Sequence, residues 1–99
     1  MEESLRDYLI RLANATRRHS ELSLGASPRA TFALFRASQA FAALAGRDYV
    51  LPDDIKTLVW PVWRHRLLVR PESALRGRTA TTILEGILAE TTLDLGDTV

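Results

Sequence analysis

The 99-residue chain has no cysteine and only two histidines, His19 and His65, which lie far apart in the sequence. The absence of cysteine excludes disulfide bonds, thiolate metal sites and a cysteine nucleophile. Two isolated imidazoles do not provide the spacing of a metal site. We therefore expect no metal ion bound by this chain.

Long apolar runs are also missing. The N-terminus reads Met-Glu-Glu-Ser-Leu-Arg and lacks the apolar core of a signal peptide. No segment approaches the ~18 consecutive apolar residues that would span a bilayer. These absences predict a cytoplasmic protein that does not insert into membranes.

Neither sign of charge dominates, because 13 Lys and Arg residues face 12 Asp and Glu residues, for a net charge of +1. This balance gives no general argument for binding nucleic acid or membranes. Five arginines nevertheless cluster around a single acidic residue, Glu72. They are Arg64, Arg66, Arg70, Arg76 and Arg78. We interpret the cluster as a solvated basic loop beside an acidic C-terminal helix.

An apolar content of 46% over this length supports one domain with a modest core. A first helix is predicted over about residues 3–19, and its apolar positions follow the i, i+3, i+4, i+7 spacing. They are Leu5, Tyr8, Leu9, Leu12 and Thr16.

A second helix is predicted after Ser27, a good N-cap, with Pro28 at its first position. Between residues 30 and 45 its only charge is Arg36, and Gly46 is placed to end it as a left-handed C-cap. We expect this helix to be the buried centre of the domain.

The third helix begins at Pro52, where Asp53 and Asp54 complement the helix dipole. Pro61 lacks an N–H group and is expected to kink or end this helix near Trp60. The apolar residues 67–69 form either a buried turn or a small strand paired with residues 22–24.

A loop around Gly77 then leads to a last helix capped by Thr79, with a frayed tail after Leu93. The core-facing residues of that helix are Ile83, Leu84, Ile87 and Leu88. The simplest architecture is an all-α, four-helix bundle with a broken third helix, a single domain over residues 1–99 with its core at about 5–92.

Arg29 is the most informative residue, because it falls in the first turn of the second helix. A cation at the positive end of a helix dipole is unfavourable by roughly 0.3–1 kcal/mol when exposed. An incoming phosphate would reverse that sign. The first-turn N–H groups and the guanidinium together form a plausible site for the terminal phosphate of a nucleotide, unless Arg29 simply pairs with a carboxylate such as Glu72.

Three separated motifs resemble the C-terminal lid of MoxR-type AAA+ ATPases. The first is Leu-Gly-Ala-Ser-Pro-Arg-Ala at residues 24–30. The second is Ala-Gly-Arg-Asp-Tyr-Val at 45–50 with Pro-Asp-Asp-Ile at 52–55, and the third is Arg-His-Arg-Leu at 64–67. Their order and spacing agree with the family over about residues 5–88.

The resemblance implies a small helical lid packed beside a nucleotide-binding α/β domain. It implies that Arg29 is the sensor 2 residue, which contacts the γ-phosphate of ATP bound with Mg²⁺ by that other domain and couples hydrolysis to lid movement. Family members are chaperone-like ring ATPases that insert metal ions or cofactors or mature complexes. Partners would be the core domain, neighbouring ring subunits and proteins with a von Willebrand factor A domain.

The chain has no Gly-x-x-x-x-Gly-Lys-Ser/Thr loop and no apolar strand ending in acidic residues that could hold magnesium. We therefore expect a fragment of a larger ATPase that has no catalytic residue and cannot hydrolyse ATP alone. The alternatives are a stand-alone protein-interaction module and a nucleic-acid-binding module. The second helix has too few polar residues to lie in a major groove, so no nucleic acid is expected.

Four other residues receive structural interpretations. His65 is expected to close the third helix by bonding its last carbonyl groups, rather than to sense pH or touch nucleotide. Of Trp60 and Trp63, one is assigned to the core and the other to an interface with the missing domain. Arg47 is expected to form a surface pair with Asp48 or a loop bond.

Overall fold

Seven elements follow one another in the computed structural model, which describes residues 2–91. They are α1 (Glu3–Arg18), β1 (Leu22–Leu24), α2 (Pro28–Leu44), α3 (Pro52–Trp63), β2 (Leu68–Val69), α4 (Pro71–Leu75) and α5 (Ala80–Glu90). The predicted all-α bundle is confirmed. The five-residue helix α4 is an addition, since that segment was predicted as loop, and the tail after Leu93 lies outside the described residues.

Helix α1 provides one side of the core. Its predicted apolar positions, Leu5, Tyr8, Leu9, Leu12 and Thr16, are all buried. Opposite them lie Ile83, Leu84 and Ile87 of α5, also buried as predicted, and each large apolar side chain removed from water contributes roughly 1.5–3 kcal/mol. Within residues 2–91 no helix is both long enough and apolar enough to cross a membrane.

Helix α2 buries a narrow stripe of mostly small residues, so the prediction that it is the buried centre is wrong. The stripe repeats every four residues: Ala30, Leu34, Ser38 and Ala42. Small side chains on this face allow α3 to pack closely against α2, and the bulky residues are turned away. The side chain of Phe32 is 60% exposed and that of Leu44 is 89% exposed.

Helix α3 continues through Pro61 to Trp63, so of the two expected outcomes, a kink or an end near Trp60, the end is wrong. Pro61 lies on the exposed side of the helix, and the carbonyl that its missing N–H would have met belongs to exposed Thr57. Water can satisfy that carbonyl. Two residues after Pro61, Trp63 is fully buried and its indole N–H donates to the carbonyl of Ala30 over 2.9 Å, which holds the last turn in place.

Residues 67–69 contribute a strand rather than only a buried turn, since β2 pairs with β1 in an antiparallel ladder with an irregular register. Leu22 lies opposite Val69, and Leu24 lies opposite Leu68. The backbone N–H of Arg70 also donates to the carbonyl of Glu21 over 2.9 Å, which continues the pairing toward α4.

The turn between α2 and α3 depends on a partly buried ion pair that was not predicted. Gly46 has φ of +82°, as expected for its left-handed C-cap. Arg47 donates a loop bond to the Tyr49 carbonyl, but its carboxylate partner is Asp54 and not Asp48, with N–O distances of 2.8 and 2.9 Å. Asp54 is 3% exposed and also accepts the N–H of Leu51 over 2.7 Å. It therefore caps α3 as well as complementing its dipole.

Asp54→Asn should lower the free energy of unfolding by about 2 kcal/mol, because it leaves the Arg47 guanidinium without its charged partner. This corresponds to a fall in midpoint temperature of roughly 10 °C in thermal unfolding followed by circular dichroism. Asp53→Asn is the matched control, since Asp53 is exposed in the same turn. Equal midpoints for the two variants would contradict a stabilising role for the pair.

Stability should also depend on pH through Asp54. The charge-assisted bonds from Arg47, aided by the N–H of Leu51, outweigh burial and hold the pKa of this carboxyl below its usual value of 3.8. The stabilisation is therefore fully present above about pH 4 and is lost as pH falls through the folded-state pKa. Thermal unfolding between pH 2 and pH 7 should show a smaller acid-induced loss of stability for Asp54→Asn than for the unmodified chain, and equal losses would contradict this.

Candidate functional site

Arg29 is exposed at the second position of α2, in a first turn that contains no acidic residue. Within residues 2–91 it makes no ion pair, so the alternative contact with Glu72 is not formed. The guanidinium therefore adds its charge to the positive end of the helix dipole without a carboxylate to offset it. This leaves five N–H donors of one side chain accessible beside a helix N-terminus.

The turn that carries Arg29 is fixed by its own cap. The Ser27 hydroxyl accepts the N–H of Ala30 over 3.1 Å, and the Ser27 carbonyl accepts the N–H of Thr31 over 2.9 Å. Pro28 takes the first helical position, where its missing N–H has no cost. The predicted N-cap is therefore confirmed. The backbone N–H of Arg29 is among the first-turn donors that have no acceptor within the helix.

The loop before this cap is held against α1 by Thr16. The Thr16 side chain is fully buried, and its hydroxyl donates to the Ala13 carbonyl over 2.6 Å while accepting the N–H of Ala26 over 2.9 Å. A buried hydroxyl that uses both its donor and an acceptor lone pair fixes the loop backbone at this point.

Gly25 lies directly on the backbone of α1. A β-carbon built on Gly25 would lie 2.6 Å from the backbone carbonyl carbon of Thr16 and 2.6 Å from the backbone nitrogen of Arg17. No side chain fits there, so the loop can approach the helix this closely only because residue 25 is glycine. The contact therefore fixes the distance between α1 and the start of α2, which carries Arg29.

A third contact holds the other side of the turn. The Trp63 indole N–H that reaches the Ala30 carbonyl ties the end of α3 to the residue directly after Arg29. One of the two tryptophans was predicted to lie in the core, and it is Trp63, whereas Trp60 is only partly buried. Sequence reasoning missed the roles of Thr16, Gly25 and Trp63 in placing Arg29. The glycine two residues before the N-cap was the one available signal.

An apolar groove of 610 Å³ runs between α1 and α2 beside the turn. The rings of Phe32 and Phe35 stack along it with centroids 6.0 Å apart and an interplanar angle of 25°. Pro28 lines one end of the groove, so the groove is continuous with the turn that carries Arg29.

His65 does not close α3, and that prediction is wrong. Its Nε2 accepts from the neighbouring Arg64 guanidinium over 3.1 Å, whereas the Val62 carbonyl receives a bond from Arg66 over 3.2 Å. The longer arginine side chain reaches back one turn to the carbonyl that the imidazole was expected to bond.

The predicted basic cluster is solvent-accessible, with four of its arginines exposed and Arg78 partly exposed, but part of the segment is α4 rather than loop, and three of the arginines bond to residues 20–21. Arg70 donates to the Ser20 carbonyl over 2.9 Å. Arg78 pairs with Glu21 at 3.0 Å, and Arg76 lies 3.8 Å from the same carboxylate. The hydrogen bond from Arg78, aided by the positive charges of Arg78 and Arg76, lowers the pKa of Glu21. Much of the cluster therefore holds α4 and its flanks against the turn after α1.

No group of three or more metal-ligating side chains lies together in the part of the chain that the structure describes. The donor set at Arg29 is entirely cationic or N–H, which suits an anion and not a metal ion.

Gly25→Ala should lower the free energy of unfolding by about 1–3 kcal/mol, because the added methyl group meets rigid helix backbone. Gly86→Ala is the matched control with the opposite sign. Gly86 is exposed within α5 and an added β-carbon meets nothing within 4 Å, so the substitution should stabilise the chain by about 0.5–1 kcal/mol. Chemical denaturation of both variants measures the difference, and a neutral Gly25→Ala would contradict the close approach.

Comparison with known sequences gives three findings. The AAA lid domain family matches residues 14–87. The YeaC protein of Bacillus subtilis, which is uncharacterized, is 39% identical over 88 residues, covering 89% of this chain and 28% of YeaC. The chaperone MoxR1 of Mycobacterium tuberculosis is 36% identical over 78 residues, covering 70% of this chain and 21% of MoxR1.

A solved structure agrees with these sequence matches. The crystal structure of an ATPase candidate from Cytophaga hutchinsonii superposes with a TM-score of 0.88 at 35% identity, covering 94% of this chain and 31% of that one. The chain thus spans under a third of the length of these relatives. Because the family match includes most of the chain and its relatives include MoxR proteins, this chain belongs to the AAA lid domains of the MoxR family of AAA+ ATPases.

Proposed function

We propose that this domain is the lid of a longer MoxR-family ATPase and that Arg29 is its sensor 2 residue. In this proposal Arg29 contacts the γ-phosphate of ATP held by the nucleotide-binding domain. Lid movement is then coupled to ATP hydrolysis in a cytoplasmic, chaperone-like ring. The observation that carries the proposal is a guanidinium that is exposed at the positive end of α2 and makes no ion pair within residues 2–91.

The donor set at Arg29 suits a terminal phosphate. A guanidinium presents a planar fork that can bond two oxygens of one phosphate, and a helix N-terminus adds N–H donors and a favourable dipole. As γ-phosphate charge spreads over its oxygens during transfer, a fixed cation nearby stabilises the transition state more than the ground state. ATP would supply the phosphoryl group, and Mg²⁺ would be held by residues of the nucleotide-binding domain.

The rigid surroundings of the turn support the coupling role. Ala26 and Ala30 are fully buried on either side of the Ser-Pro-Arg segment, and each is hydrogen-bonded to another helix. A change in the position of Arg29 would therefore move α1 and α3 with it. This is the property required if phosphate loss is to move the whole lid rather than one side chain.

Partners follow from the same proposal. The lid would pack on its own nucleotide-binding domain and on neighbouring ring subunits. The ring would insert metal ions or cofactors into other proteins or help complexes to mature. Proteins with a von Willebrand factor A domain would be further partners of the longer protein. The name chaperone borne by the relative MoxR1 supports the chaperone role. The exposed Phe32 beside the α1–α2 groove gives the lid an apolar surface for such packing.

Arg29→Ala in the longer protein should lower kcat for ATP hydrolysis by roughly 10- to 100-fold while the lid stays folded, because one preorganised donor to the transferring phosphate is lost. Arg29→Lys should fall in between, since an ammonium keeps the charge without the fork. Steady-state phosphate release measures kcat, and circular dichroism checks the fold.

The matched control is Arg36→Ala. Arg36 is exposed two turns along the same helix and makes no ion pair within residues 2–91, so its removal should leave turnover unchanged. Unchanged turnover in Arg29→Ala would remove Arg29 from the mechanism.

A further inference from the structure

Arg17 lies in the last turn of α1, and its guanidinium bonds to both sides of the turn that carries Arg29. Its Nε donates to the carbonyl of Ala26, which precedes the turn. One terminal nitrogen donates to the hydroxyl of Thr31 over 3.3 Å, which follows the turn. The other donates to the Asn14 side chain on α1 over 3.2 Å, so all three nitrogens are held.

The bond to Thr31 continues back into the turn. The Thr31 hydroxyl donates to the Ser27 carbonyl over 2.9 Å, the same carbonyl that accepts the Thr31 N–H. Arg17 therefore reaches the N-cap residue through one intermediate hydroxyl, and it reaches Ala26 directly. The planar guanidinium sets the separation between these two points.

We propose that Arg17 is a positioning residue for Arg29, because its guanidinium bridges Ala26 and Thr31 and so fixes the Ser27–Arg29 turn against α1. This inference rests on the proposed function of Arg29. It assigns no contact between Arg17 and nucleotide.

The exposure of Arg17 separates this role from a stabilising one. Hydrogen bonds of an exposed side chain add little to stability, and the loop is already held by Thr16 and by the Gly25 contact. What Arg17 adds is orientation, since a displacement of about 1 Å at a catalytic contact can reduce turnover by up to 100-fold. A lysine cannot replace it, because one ammonium does not reproduce a fixed two-point fork.

The test is a double-mutant cycle in the longer ATPase with Arg17→Ala, Arg29→Ala and both together, measuring kcat and KM for ATP and the thermal midpoint. We expect Arg17→Ala to lower kcat by about tenfold with KM within about twofold and the midpoint nearly unchanged. In the Arg29→Ala background it should have no further effect. Arg17→Lys should resemble Arg17→Ala, and it serves as the second variant if the alanine protein does not fold.

Arg18→Ala is the control. Arg18 is the next residue of the same last turn, is exposed, and makes no ion pair in the part of the chain that the structure describes, so turnover should not change. If Arg17→Ala lowers kcat equally in both backgrounds, Arg17 acts independently of Arg29 and the inference is overturned. It is likewise overturned if Arg29→Ala lowers turnover and Arg17→Ala does not. If Arg29→Ala itself has no effect, the proposed function fails first.

Discussion

The contact between Gly25 and the backbone of α1 is the constraint on which the arrangement of this domain depends. Because no β-carbon fits, the loop after β1 lies flat against the last turn of α1. The buried Thr16 hydroxyl then fixes the next N–H along the loop, and Ser27 begins α2 one residue later. The Gly25 contact, the Thr16 bond to Ala26 and the Ser27 cap thus determine where α2 starts. The direction of α2 in turn determines where α3 can pack.

The packing of α2 explains why Phe32 and Phe41 remain exposed and Phe35 is only partly buried. A stripe of small residues faces inward, so α3 approaches closely and the Trp63 indole can reach a carbonyl in the first turn of α2. Large side chains on that stripe would keep the two helices apart and break this bond. The same geometry leaves Phe32 and Phe35 along the α1–α2 groove. An apolar surface beside Arg29 is therefore a consequence of how the core is made.

Features that depend on neighbouring residues could be predicted from the sequence, and features that depend on distant packing could not. Ser27 and Thr79 cap helices through bonds to residues three positions away, and Gly46 takes the left-handed conformation required at its helix end. By contrast, the inward stripe of α2 and the passage of α3 through Pro61 depend on contacts between helices. Arg47 selects Asp54 over Asp48 because only Asp54 is buried beside the α3 N-terminus. The sequence indicated Arg29 as a candidate phosphate contact through its place in the helix and the family resemblance. The groups that hold its turn could not be predicted, because they come from α1 and α3.

The charges at the helix ends make Arg29 stand apart. Helices α1, α3 and α4 have acidic residues in their first turns, where the dipole favours them, and α1 has Arg17 and Arg18 in its last turn. The first turn of α2, by contrast, contains the cation Arg29 and no acidic residue, at a cost of roughly 0.3–1 kcal/mol. A carboxylate in place of Arg29 would remove that cost and stabilise the isolated domain. In the proposed function, the terminal phosphate of a nucleotide would supply an anion at this turn, and its attraction to the guanidinium and the first-turn N–H groups would offset the cost.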